Sequence, residues 1–242
     1  MCIRDRIYPF AFKGEKKQIY VSNRFWAQTI SNLFEGEVVI GLDDVDGIEE
    51  KTYNAACHFL PHQIAGNRYE KRILVPIGEY LPFEWCRTLA AQFGLEYFFT
   101  PGVEAKVFQG LHPFAPSICY EETFNGIVRE GRKKGASFFV NLTNDGWYPD
   151  SRLPREHFAH GRVRAIENGA PLVRACNTGI TAYVNSLGEV VAQLDKEVGV
   201  LTFPMQIYTY PTLFLLLGNW WIVVFSAIAT ILFLLKRKSK AI

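Results

Sequence analysis

Residues 117–142 read SICYEETFNGIVREGRKKGASFFVNL, and this stretch decides the fold. Ser117–Tyr120 is predicted as the end of a short apolar strand. Thr123–Lys134 then places Phe124, Ile127 and Val128 on one helical face with charges opposite, and Gly135 stops it. Ala136–Leu142 returns as a second apolar strand. Working outward, Glu37–Leu42 and Thr52–Leu60 read as strands upstream, and Trp85–Phe93 reads as a helix ended by Gly94. Downstream, Pro154–Asn168 fits a helix closed by Gly169, followed by strands at Pro171–Cys176, Thr181–Asn185 and Glu189–Leu194. The last two form a hairpin across Ser186, Leu187 and Gly188. Strands alternating with helices define an α/β domain.

The chain has 242 residues, 49% hydrophobic and 21% charged, enough for one sizeable core and unlike a disordered chain. A net charge of +2 argues against nucleic acid as a partner. The basic residues that do segregate, Lys236, Arg237, Lys238 and Lys240, follow the charge-free run Leu213–Leu235. At 1.5 Å per residue that run makes ~34 Å of helix, long enough for a transmembrane span, and the basic tail is expected on the cytoplasmic side. No GxGxxG or GxxxxGK[ST] motif occurs, so phosphate cradling has no support.

Cys119 sits where a strand turns into a helix, and backbone N–H groups at such a turn lower a thiol pKa and hold an oxyanion. A packed core cysteine fits the same local pattern. Lys71 precedes, and Glu79 follows, the apolar segment ILVP, read as a strand; solvated surface residues are the alternative. Asn141, Thr143, Asn144, Asp145, Gly146 and Trp147 end a strand in a polar loop of the kind that lines sites, or simply turns, in α/β folds. His157 and His160 lack a third ligand of clear spacing, so no metal is expected.

Taken together, YEKRILVPIGEYLPF, ICYEETF, NLTNDGWYPDS, HFAHGRVRAIENGAPLVRACNTGITAYVNSLGEVV and GNWW resemble the apolipoprotein N-acyltransferase family over about residues 69–235. Its catalytic domain is nitrilase-like, of the carbon-nitrogen hydrolase type. The resemblance implies a four-layer αββα sandwich followed by one transmembrane helix at about 213–235. It also implies a Cys-Glu-Lys catalytic set, with Cys119 as nucleophile, Lys71 as the catalytic lysine, Glu79 as a supporting glutamate, and Tyr120 and Glu121 beside the nucleophile. The family's general-base glutamate precedes a segment resembling Tyr8-Pro9-Phe10-Ala11-Phe12, and Met1–Arg6 stands in its place; Glu15 is a poor substitute.

The expected organisation is therefore an unrelated start at 1–6, a catalytic domain incomplete at its N-terminus over 7–203, and a membrane anchor over 204–242. The implied reaction moves an acyl chain from a phospholipid to the N-terminal cysteine amine of a diacylated apolipoprotein through a Cys119 thioester. It needs no cofactor. The implied setting is a monomer in the bacterial cytoplasmic membrane, its catalytic domain on the outer face. A nitrilase-like amidase and a membrane-tethered interaction domain are the other two readings of the same residues.

Overall fold

The computed structural model describes residues 2–4, 10–13, 18–45, 51–63, 66–83, 85–86, 92, 98–146, 150–195 and 198–239. The elements run β1 (Cys2–Arg4), β2 (Phe10–Lys13), β3 (Gln18–Val21), α1 (Asn23–Leu33), β4 (Val38–Val45), β5 (Thr52–Phe59) and β6 (Asn67–Glu70). They continue with β7 (Phe114–Ile118), a 3-10 helix (Cys119–Thr123), α2 (Asn125–Lys133), β8 (Phe138–Thr143), α3 (Leu153–Asn168), β9 (Leu172–Cys176), β10 (Ile180–Val184) and β11 (Val190–Asp195). Two helices, α4 (Leu213–Leu217) and α5 (Trp220–Ser239), end the chain.

The strands form a four-stranded sheet, β1-β4-β5-β6, a five-stranded sheet, β11-β10-β9-β8-β7, and the separate hairpin β2-β3. Side chains alternate across each strand, so one strand feeds two cores. Val38, Ile40 and Leu42 of β4 pack with Cys57, Phe59 and Ala27 of α1, while Val39 faces the other sheet and joins Tyr69, Phe114, Ile118, Val140 and Leu142. Phe139 and Leu172 point the opposite way, to Val128 of α2 and Phe158 and Ala165 of α3. Three apolar layers between four layers of structure make the αββα sandwich that the resemblance implies. Parallel pairing of β7, β8 and β9 puts their C-terminal ends on one edge, where α/β folds place their sites. A Cβ on Gly131 would lie 2.4 Å from that of Ala115, so the glycine is what lets α2 approach β7.

Several boundaries differ from the sequence reading. The strand predicted to reach Tyr120 stops at Ile118, the helix predicted from Thr123 starts at Asn125, and the last strand runs Val190–Asp195. ILVP is no strand. The Ile73 N–H donates to the Glu121 carboxylate at 3.2 Å and the Val75 N–H to that of Glu79 at 2.7 Å, so its donors go to side chains instead of a neighbouring strand. The helix predicted at Trp85–Phe93 and its stop at Gly94 lie largely outside the described residues, as does Glu15. Cys2–Arg4 pairs in parallel with Val39–Gly41, so β4 is not left with an open edge there.

The predicted span at 213–235 is divided. Gly218, at φ +58, turns the chain between α4 and α5, so the uninterrupted apolar helix starts only at Trp220, and Trp220–Leu235 measures ~24 Å. Among the described residues no helix is long and apolar enough to cross a membrane. Arg129 of α2 fixes the break, its guanidinium donating to the carbonyls of Phe214, Leu215 and Leu216 at 3.0 Å each, a cation at the negative end of a helix. Asn125 adds a bond to Asn219 at 3.1 Å. Arg129→Ala is expected to loosen residues 213–219, raising their amide exchange several-fold. The shift in domain stability should stay within ~2 kcal/mol, because only exposed and half-buried bonds are lost.

Candidate active site

Cys119 is the first residue after β7. It carries φ +52, and its Sγ lies 4.0 Å from the carbonyl oxygen of Asn144. The turn is closed from within, because the Ile118 N–H donates to Glu121 Oε2 at 2.8 Å. Glu121 Oε1 accepts three more bonds, from the Tyr69 hydroxyl at 2.9 Å and from the N–H groups of Arg72 at 2.6 Å and Ile73 at 3.2 Å. A fully buried carboxylate is tolerated only when so satisfied. Burial pushes the Glu121 carboxyl above the usual carboxylate range, with the backbone donors opposing it. Burial and the Glu121 charge push the Tyr69 phenol up as well. Glu121 is thus a clamp that holds the Cys119 turn against the backbone immediately following Lys71.

Lys71 is 1% exposed, not solvated, and donates to Glu79 Oε2 at 2.7 Å. Glu79 is fixed in turn by Asn54 Nδ2 at 2.7 Å and by the Val75 N–H. A buried lysine with one carboxylate partner has its head group in a fixed place, with little water to screen it. Tyr120 packs its ring on Phe124 at 4.9 Å and lies 6.5 Å from the His157 ring.

A second buried network, absent from the sequence reading as a unit, lies behind the Cys119 turn. Arg174 of β9 donates to Glu122 at 2.8–3.2 Å, to Asp145 Oδ2 at 3.2 Å and to the Ile180 carbonyl at 2.8 Å. Asp145 Oδ1 meets His157 Nδ1 at 2.9 Å. The polar loop flagged at 141–147 and the histidine flagged on α3 therefore meet, whereas His160 is exposed. Glu122 and Arg174 carried one legible signal, an arginine in the middle of the apolar run LVRAC.

Cys119, Asp145 and His157 offer a sulfur, an oxygen and a nitrogen within 4.8 Å of one another, donor types that suit zinc. Both Asp145 oxygens are already engaged, one by the Arg174 guanidinium, which repels a second cation; the group suits proton exchange better than metal binding. A cavity of about 1080 Å³ opens against the inner face of β7–β9, lined by Val39, Phe138, Val140, Val173 and residues 199–203. Its lining includes none of Cys119, Lys71 and Glu79.

For Asp145 burial acts to raise the carboxyl pKa, but the His157 hydrogen bond and the Arg174 charge outweigh it and hold the group below the usual range. The unfolded chain then takes up this proton at a higher pH than the native one. The stabilisation is complete above the unfolded pKa and is lost as pH falls through the native value. Unfolding midpoints followed by circular dichroism should accordingly drop below about pH 4, and Asp145→Asn should flatten that part of the profile.

Residues 30–210 match the model of the carbon-nitrogen hydrolase family. The apolipoprotein N-acyltransferase of Chlamydia caviae is 39% identical over 82% of this chain and 40% of its own length, and that of Chlamydia muridarum 36% identical over 99% and 49%. The chain thus spans less than half the length of these curated relatives. In fold it is similar to a carbon-nitrogen hydrolase from Helicobacter pylori G27, with TM-score 0.58 and 18% identity over 77% of this chain and 64% of that one. It is also similar to an amidase from Nesterenkonia sp. AN1, with TM-score 0.54 and 22% identity over 74% and 67%. A family match over three quarters of the chain, on a sandwich with a cysteine at the strand-to-helix turn, leaves one conclusion: the chain belongs to the carbon-nitrogen hydrolase family.

Proposed function

We propose that this chain carries the acyl-transfer site of an apolipoprotein N-acyltransferase, with Cys119 as nucleophile. The observation that carries the reading is the Glu121 clamp, which sets the Cys119 turn beside the buried Lys71–Glu79 pair. The Cys119 thiolate attacks the ester carbonyl of a phospholipid, the S–C bond forms, and the lysophospholipid leaves. The α-amine of a diacylated apolipoprotein then attacks the thioester and releases Cys119. Lys71, positioned by Glu79, stabilises the tetrahedral oxyanion in each half-reaction. Tyr120 flanks the nucleophile. The related apolipoprotein N-acyltransferases support this acceptor, and the Nesterenkonia amidase, in which acrylamide adds to an active-site cysteine, supports the nucleophile.

Helix α5 supports a membrane setting. Trp220, Ile222, Phe225, Leu232 and their neighbours are exposed on every side of it, an apolar surface that water does not tolerate and lipid does. α5 alone is too short to cross, so the membrane segment is the apolar run Leu213–Leu235 as a whole, α4 and the Gly218 turn included. With the basic residues after Leu235 on the cytoplasmic side, the catalytic domain then faces the outside of the bacterial inner membrane. The test takes the full-length protein that carries this chain, in phospholipid vesicles with a diacylated lipopeptide. Appearance of an N-acylated lipopeptide, and an active alkaline phosphatase fused near Thr202, are the expected results. Release of free fatty acid with no acylated peptide would instead make the protein a hydrolase.

A further inference from the structure

We propose that α4 lies flat in the outer boundary of the bilayer and is the surface on which the catalytic domain rests, a placement that depends on the membrane setting of Leu213–Leu235. Leu213, Leu216 and Leu217 share one face of α4 and are all exposed, while Phe214 and Leu215 are half-buried on the other. Amphipathic aromatic residues bracket the helix, Tyr208 and Tyr210 before it and Trp220 and Trp221 after it, and such rings favour the headgroup level of a membrane. In one straight helix Tyr210 and Trp220 would stand ~15 Å apart along the axis, twice the ~5–7 Å depth of one headgroup region. The turn at Gly218 lets both pairs sit at the same level. A helix lying flat buries its apolar face ~5–10 Å into the boundary of headgroups and acyl chains. The apolar part of α5 falls short of a ~30 Å hydrocarbon core by about that depth.

A helix break at membrane depth is tolerated only where the freed backbone groups find partners. In an unbroken helix the carbonyls of Leu215 and Leu216 would accept from the N–H groups of residues 219 and 220. Here the Arg129 guanidinium donates to both, while the Gly218 N–H donates to the Phe214 carbonyl at 2.7 Å. A Cβ on residue 218 would lie 3.0 Å from Arg129 Cζ, and its φ of +58 favours glycine. At the other end the Thr212 hydroxyl accepts from the Leu215 N–H at 2.9 Å, and the Tyr210 N–H donates to the Gly169 carbonyl at 3.0 Å. Both ends of α4 are thus tied to the domain, one by α2 and one by the end of α3, and its leucine face is turned outward.

This seat bears on the nucleophile. α2 begins two residues after the end of the 3-10 helix that opens at Cys119, so Arg129 links the lipid-facing helix to the element that carries the thiol. The ester carbonyls of a phospholipid lie between headgroup and acyl chains, the level that α4 occupies. A domain held at that level meets the ester where it lies and need not lift the whole lipid into water, which would expose its acyl chains.

The experiment places a benzophenone amino acid at each of residues 213–217, and at Phe225 as a control, in the full-length protein that carries this chain. The protein is held in vesicles of phosphatidylethanolamine and phosphatidylglycerol and irradiated. Phospholipid adducts should form at 213, 216 and 217 and at Phe225, and be several-fold fewer at 214 and 215, which face Arg129. Arg129→Gln should erase that difference. A second measurement, which does not depend on a bulky group at 214 or 215, compares acyl transfer from vesicle phospholipid with transfer from a short-chain phospholipid dispersed as monomers. Leu216→Gln combined with Leu217→Gln should lower the ratio of the two rates ~10-fold or more, since two leucines lose their burial in lipid. Equal adducts at all five positions would mean a straight helix in the bilayer and would overturn the proposal, as would adducts at Phe225 alone or an unchanged ratio of rates. Absence of adducts at Phe225 as well would remove the membrane setting and the proposal with it. The periodic pattern without any acylated lipopeptide would keep α4 on the bilayer and remove only the acyl-transfer reading.

Discussion

Cys119→Ser is expected to reduce acyl transfer by at least ~10⁴-fold while leaving the fold intact. The hydroxyl is ionised to a negligible extent at neutral pH and is a far weaker nucleophile than a thiolate, and the Lys71 charge is already shared with Glu79 at 2.7 Å. The volume change is small and the turn is held by Glu121, not by the thiol, so the unfolding midpoint should stay within ~1 kcal/mol of wild type. Single-turnover acylation with labelled phospholipid gives the measurement. Label found on another cysteine would remove Cys119 from the mechanism. Burial pushes the thiols of Cys57 and Cys176 up to about 11 and about 12, so both stay protonated and unreactive.

Arg174→Met should produce the largest loss of stability of any single change around the site. Arg174 is fully buried and neutralises two carboxylates, Glu122 and Asp145, that are themselves buried. Deleting one partner of such a set strands the others in low dielectric, at ~3–5 kcal/mol. For a domain of this size that corresponds to a fall of about 6–20 °C in melting temperature. A double change of Arg174 to Met and Glu122 to Gln should recover part of it. A melting temperature unchanged by Arg174→Met would mean that water reaches the network.

Much of this was legible in the sequence because the physics is local. The short continuous apolar runs at Val38–Leu42 and Phe138–Leu142, with Gly135 and Gly169 as helix stops, mark elements whatever surrounds them. Cys119, Lys71 and Glu79 were singled out by motif, and the last two meet as a buried pair. What was not legible was long-range. Ile73 and Val75 look like a strand, and only the distant carboxylates of Glu121 and Glu79 explain why they pair with no neighbour. Lys71 looked like a surface residue because its burial depends on Glu79 folding back over it. Asp145 and His157 lie twelve residues apart, and nothing in that interval marks the bond they share. At the C-terminus the apolar run 213–235 reads as one helix, and the break at Gly218 becomes intelligible only with Arg129 waiting across from it.

The φ of +52 at Cys119 has a consequence for how such a chain changes under selection. A left-handed backbone costs a side chain with a Cβ roughly 1 kcal/mol that glycine is spared. Cys119→Gly should therefore be inert as a catalyst and yet as stable as the parent chain or more so. Screening variants for thermal tolerance alone would reward discarding the nucleophile, and a homologue found with glycine at this position would owe its gain in stability to the loss of its chemistry.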